Sequence, residues 1–92
     1  MFADTLILSD CRTVETLHLE YRLFEQIREE RPSYSLSVTL TSGKDSDSAC
    51  CKDVTSRKPF AIRLFTLLRD HAVTPCTLTE VLEDLLADPS FD

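Results

Sequence analysis

The run Val73-Thr74-Pro75-Cys76-Thr77-Leu78-Thr79-Glu80-Val81-Leu82-Glu83-Asp84-Leu85-Leu86 holds a helix stop, a helix start and an amphipathic stripe within 14 residues. The residue before a proline disfavours the helical region, so Val73-Thr74-Pro75 closes whatever helix precedes it. Thr77-Leu78-Thr79-Glu80 has the form of a capping box, in which the Thr77 hydroxyl accepts from the Glu80 amide and the Glu80 side chain reaches back to the Thr77 amide. Cys76 and Val81 occupy the two positions of a hydrophobic staple. Leu78, Val81, Leu82, Leu85 and Leu86 then form a buried stripe, with Glu80, Glu83 and Asp84 on the polar side. Pro89 ends this helix, and residues 88–92 are expected to fray.

A second helix is expected upstream. Ser56 can serve as its N-cap, and Pro59 is tolerable within the first turn. Phe60, Leu64, Leu67, Leu68 and Ala72 recur at helical spacing, flanked by Ile62 and Phe65.

The rest of the chain reads differently. Ser33 to Thr41 alternates strictly: Tyr34, Leu36, Val38 and Leu40 fall on one face, and Ser33, Ser35, Ser37, Thr39 and Thr41 on the other. That second face is rich in hydroxyls and uncharged. Glu15 to Leu23 also alternates, with Leu17, Leu19, Tyr21 and Leu23 opposite Thr16, His18, Glu20 and Arg22. The same segment has good helix formers, so residues 16–28 are either wholly strand or partly helix; the alternation favours strand, with a turn between Glu25 and Pro32. Thr5 to Cys11 is apolar enough for a first strand. Ser42 to Ser48 holds the chain's one glycine and reads as a turn, and Ala49 to Val54 as a short returning strand.

Strands followed by helices define an α+β fold, here a small antiparallel sheet of three to four strands with two C-terminal helices packed on one face. The 92 residues allow one domain, spanning 1–92 with an ordered core of about 4–87.

Composition narrows the functions. A net charge of −6 disfavours nucleic acid, which is held mainly by Lys and Arg. Arg57, Lys58, Arg63 and Arg69 are spread along one helix, as on a solvated face. No apolar run approaches the roughly 18 residues that a membrane span needs. The apolar stretch near the N-terminus follows an aspartate and no basic segment, so a secretory signal is not expected and the cytoplasm is the default compartment. Of the four cysteines, Cys11, Cys50, Cys51 and Cys76, no two are spaced CxxC. Cys50 and Cys51 are neighbours and point to opposite faces of a strand. Small, mostly buried free thiols are the simplest reading.

Several motifs come close to chemistry without reaching it. Ser42-Gly43-Lys44-Asp45-Ser46 resembles the phosphate loop of ATP pyrophosphatases, but one glycine is missing and the segment that follows reads as strand, not helix. Lys44 is followed by Asp, which fails as a Walker A loop, and Asp45 and Asp47 do not complete an EF-hand. His71 and Cys76 flank the break between the helices; with Cys50 or Cys51 they form the one candidate metal or thiol set, although their spacing fits no zinc signature. A Cys–His nucleophile would need the same proximity, an orienting third group and a pocket. His18 falls on the polar side of its strand as a surface residue. Glu83 and Asp84 sit toward the C-terminal end of a short helix, where negative charge opposes the macrodipole. They call for a basic partner, either Arg63 or Arg69 within the chain or a patch on another protein.

The Val73-Thr74-Pro75-Cys76-Thr77-Leu78 break, followed by Val81 and Glu83-Asp84, resembles a family of short uncharacterised bacterial proteins from clostridia and relatives, which carries a domain-of-unknown-function label. In looser form the resemblance extends to Tyr34-Ser35-Leu36-Ser37-Val38 and Asp53-Val54-Thr55, covering about residues 15–86. It implies strand for residues 16–24. Cys76 and Ser35 depart from the family pattern, and no activity or site transfers with it. The expected function is a small non-catalytic interaction or regulatory module, without cofactor, metal or small-molecule ligand. Its partner is another protein or a second copy, and Glu80, Glu83 and Asp84 are the candidate contact surface. The alternative is a thiol- or metal-dependent protein using Cys50 or Cys51, His71 and Cys76.

Overall fold

The computed structural model describes residues 4–87; the expected frayed tail, residues 88–92, lies outside them. Four strands come first: β1 (Thr5–Val14), β2 (Leu17–Arg28), β3 (Arg31–Ser42) and β4 (Asp45–Thr55). Helix α1 (Lys58–Asp70), a 3-10 turn (Pro75–Thr77) and helix α2 (Leu78–Ala87) follow. The strands form one antiparallel meander in the order β1-β2-β3-β4, and the fold is α+β, as the order of the sequence patterns implied.

Three two-residue turns set the register: Val14 pairs with Leu17, Arg28 with Arg31, and Ser42 with Asp45. Tight hairpins need positive φ at one or both central residues, which suits glycine. Gly43 (φ 60) supplies this between β3 and β4. The other two turns do without it, through Glu15 (φ 57) and through Glu29 and Glu30 (φ 51 and 66). Left-handed backbone costs a residue with a Cβ roughly 1–2 kcal/mol, so these turns are held in place by the ladders on either side. The ambiguous segment at 16–28 is strand from Leu17 to Arg28, with no helical part, and Thr16 lies in the turn before it.

Period-two alternation sends Leu19, Tyr21 and Leu23 of β2, and Tyr34, Leu36 and Val38 of β3, to one face. There they pack with Ala61, Leu64, Phe65 and Leu68 of α1 and Leu78 and Leu82 of α2 as a single core. Full burial of a leucine of this kind is worth about 1.5–3 kcal/mol. The opposite face carries Ser35, Ser37, Thr39 and Thr41 with Cys50 and Ser48 of β4 beside them, and none of the described helices covers it. Cys51, by contrast, joins the core side, with its Sγ 3.9 Å from Thr79 Oγ1.

The ends of α1 differ from expectation. Its N-cap is Arg57, not Ser56, with Pro59 in the first turn. At the other end the helix stops at Asp70, before the Thr-Pro break, and Ala72 lies outside it with φ 49. The Ala72 amide donates to Arg69 O (3.2 Å) and the Val73 amide to Leu68 O (3.0 Å). This is the Schellman pattern, with alanine where glycine is usual. The buried Tyr21 hydroxyl donates to Val73 O at 2.9 Å and ties the connection to the centre of the sheet. From the edge strand, Arg12 Nη1 donates to the carbonyls of Arg69 and Asp70, and Asp10 pairs with Arg69 at 3.0 Å. A guanidinium on the last carbonyls of a helix satisfies orphan acceptors and complements the macrodipole.

The capping box does not form. The Thr77 amide is already bonded to Thr74 O (3.2 Å), because Pro75 starts the helical course two residues early. The Thr77 hydroxyl turns back to Thr74, 3.0 Å from its hydroxyl and 3.3 Å from its carbonyl.

Candidate functional site

Helix α1, the 71–77 connection and α2 enclose an open groove of about 540 Å³, lined by Leu67, His71, Ala72, Val73, Thr74, Thr77, Val81 and Leu85. Its origin lies in the helical spacing. Leu78 and Leu82 of α2 are buried in the core, while Val81 and Leu85, further round the helix, are only partly covered. Leu67 does the same on α1 beside the buried Leu64 and Leu68. The sequence places Val81, Leu85 and Leu67 in the buried stripes; in the structure their outer edges line a concave apolar surface. Its size falls within the ~300–1,000 Å³ usual for binding clefts.

The acidic residues of α2 divide around this groove. Glu80 and Asp84 stand one turn apart on the exposed side of α2, in the row next to Val81 and Leu85, and are not themselves among the residues that line the groove. Glu83 falls toward the opposite flank, next to Leu86. The internal partners anticipated for Glu83 and Asp84 are engaged elsewhere. Arg69 is held by Asp10 and by Asp70 (3.2 Å), and these two hydrogen bonds raise its pKa, the Asp10 bond contributing most. Arg63 lies with Arg57, Pro59 and Phe60 around a separate surface depression. Among the described residues no ion pair reaches Glu80, Glu83 or Asp84.

The structure separates the cysteine and histidine residues proposed from sequence. Cys50 faces the helix-free side of the sheet and Cys51 the helix side, as neighbours on a strand must. His71 lines the groove, and Cys76 is exposed on the 3-10 turn. The expectation that the thiols are mostly buried is also corrected. Cys11, Cys50 and Cys76 are exposed and Cys51 is half-buried, because the first three lie on the helix-free face or in the connection. Partial burial still raises the Cys50 thiol pKa.

A different set converges. Cys11 on β1 lies directly across from Glu20 on β2, and His18 precedes Glu20 by two residues on the same face. One ligand atom from each lies within 4.8 Å of the others. Sequence reading placed His18 and Glu20 on the polar face of their strand. It did not join them to Cys11, since only the Val14–Leu17 turn register aligns the two strands.

Within Ser42–Ser46, Gly43 and Lys44 form a two-residue hairpin turn and the other three residues belong to β3 and β4, with no helix N-terminus behind the turn. It therefore lacks the element that holds a pyrophosphate in the loop it resembles.

Fold and surface together define a two-layer α+β module with one helical face, one sheet face that none of the described helices covers, and an apolar groove between its helices. The chain belongs to DUF6514, a family of unknown function whose profile matches residues 5–88. Searches of curated proteins and of solved structures gave no match. Among the described residues no helix is long and apolar enough to cross a membrane.

Proposed function

We propose that this protein is a single-domain, non-catalytic interaction module of the bacterial cytoplasm, of clostridial type, which holds a basic amphipathic segment of another protein in the α1–α2 groove. The observation that carries this reading is the pairing of an open apolar groove with an acidic border that has no ion-pair partner among the described residues. Helix-in-groove recognition uses aliphatic anchors at i, i+3/i+4 and i+7. Such anchors would cover Leu67, Val81 and Leu85, and Lys or Arg on the flank would meet Glu80 and Asp84. Charge at a groove border mainly steers encounter and selects partners, which suits a chain of net charge −6.

A displayed library of helical peptides, selected on the intact protein, tests this. Enriched peptides should carry spaced aliphatic anchors with Lys or Arg, and should lose binding to Val81→Asp. Glu80→Lys with Asp84→Lys should weaken their binding, and the weakening by added salt seen with the native pair should disappear. Binders that ignore Val81→Asp in a folded variant, or selection without enrichment, would refute the groove reading. Self-association through the hydroxyl-rich face or a strand edge is the competing arrangement. Sedimentation would reveal it as a dimer insensitive to Val81→Asp.

A further inference from the structure

We propose that Cys11, His18 and Glu20 bind a divalent metal ion of the zinc type on the helix-free face of the β1–β2 hairpin. The argument begins with register. Cys11 and Glu20 are a directly opposed cross-strand pair, and His18 sits diagonally across from Cys11, opposite Thr13. Directly opposed residues bring their Cβ atoms within about 4.5–5.5 Å, so the thiol, imidazole and carboxylate meet above the same patch of sheet. Their ligand atoms lie within 4.8 Å of one another. A tetrahedral ion with bonds of about 2.0–2.3 Å holds its ligand atoms roughly 3.3–3.7 Å apart. Contraction of about 1 Å, on side chains that are exposed or half-exposed, closes the site without moving the backbone.

The donor set is the mixed S, N and O type that zinc accepts, and thiolate with imidazole disfavours calcium and magnesium, which take oxygen ligands. Thr13 Oγ1 lies 3.5 Å from His18 Nδ1, which leaves Nε2 as the open nitrogen and supplies an outer partner that orients the ring. Glu20 Oε1 is paired with Arg22, and its second oxygen remains for the ion. Three protein ligands leave a fourth position facing solvent for water. Binding displaces the Cys11 thiol proton to solvent, so affinity falls as the pH is lowered. This site is distinct from the α1–α2 groove, which lies on the other side of the sheet, and neither proposal depends on the other.

The test is a titration of the full chain with Co²⁺, then Zn²⁺, under a non-chelating reductant. Wild type should bind one equivalent of Co²⁺ with thiolate-to-metal charge-transfer absorption and four-coordinate ligand-field bands, and Zn²⁺ should displace it. Cys11→Ser should abolish the charge-transfer band, and it and His18→Gln should each weaken binding by about tenfold or more. Arg22→Met removes the competing cation and should tighten binding. Cys50→Ser and Cys76→Ser should leave the titration unchanged. All these side chains are exposed or half-exposed, and circular dichroism confirms folding of each variant. Absence of stoichiometric binding by wild type, binding that survives Cys11→Ser and His18→Gln, or binding lost with Cys50→Ser or Cys76→Ser would each overturn the assignment.

Discussion

Ala72 shows how much a single residue can hold in this chain. It occupies the left-handed C-terminal position of α1, with φ 49, where a Cβ is unfavourable. The strain is retained because the next residue is fixed twice over: the Val73 amide bonds to Leu68 O and its carbonyl accepts from the buried Tyr21 hydroxyl. Ala72→Gly removes the steric cost but adds freedom to the unfolded chain. The balance should be a gain of up to about 1 kcal/mol, read as a higher urea midpoint at unchanged slope. A lower midpoint would mean that the Ala72 methyl, at the edge of the groove, packs more favourably than its backbone costs.

At the scale of elements, charged side chains of β1 meet the C-terminal end of α1. Asp10 and Arg12 project from β1 toward the helix side, against the end of α1. Arg12 caps the Asp70 carbonyl that the helix terminus leaves open, and adds a second bond to Arg69 O, which the Ala72 amide already reaches. Arg12→Met keeps the stem of the side chain and removes the cap, and should cost about 1 kcal/mol in chemical unfolding. If stability is unchanged, water serves those carbonyls equally well. Little of this was legible from sequence, because Arg12 and Arg69 are 57 residues apart and only the fold brings them together. The hairpins teach the same lesson locally. Gly43 announced its turn, whereas Glu29-Glu30 carries no turn signal; its position follows from the length of the flanking alternation and from the pairing of Arg28 with Arg31.

The whole molecule is a thin slab, 42 × 35 × 17 Å, about one sheet and one layer of helices deep. Both of its tyrosines lie in the single core, and burial is the main cause that raises the pKa of each; for Tyr34 the hydrogen bond to Glu25 Oε2 (2.8 Å) adds to it. A phenol whose folded pKa lies above its ordinary value of about 10 favours the folded state while protonated. That stabilisation is complete below about pH 10 and is lost as the pH rises through the folded value. The urea midpoint should therefore fall as the pH rises above about 10. A Tyr21→Phe, Tyr34→Phe variant should start lower but decline less steeply over that range. An equally steep decline would place the alkaline sensitivity outside these two groups.

Pattern alone established the α+β class, the two helices, the inward faces of β2 and β3 and the separation of Cys50 from Cys51. These follow from side-chain periodicity, which depends only on local backbone geometry. The sequence also supplied the acidic residues of α2 without indicating which of them border a groove. Tertiary structure decided the rest. It ended α1 early through the Schellman bonds, replaced the Thr77 capping box with a 3-10 turn, and opened a groove where two helices share one sheet face. It also set Cys11 across from Glu20 and beside His18. The groove and the Cys11–His18–Glu20 set depend on helix placement over the sheet and on strand register, which short-range pattern does not specify; the early end of α1 and the 3-10 turn are choices between competing local hydrogen bonds, and the Tyr21 bond to Val73 O from the sheet helps to fix them.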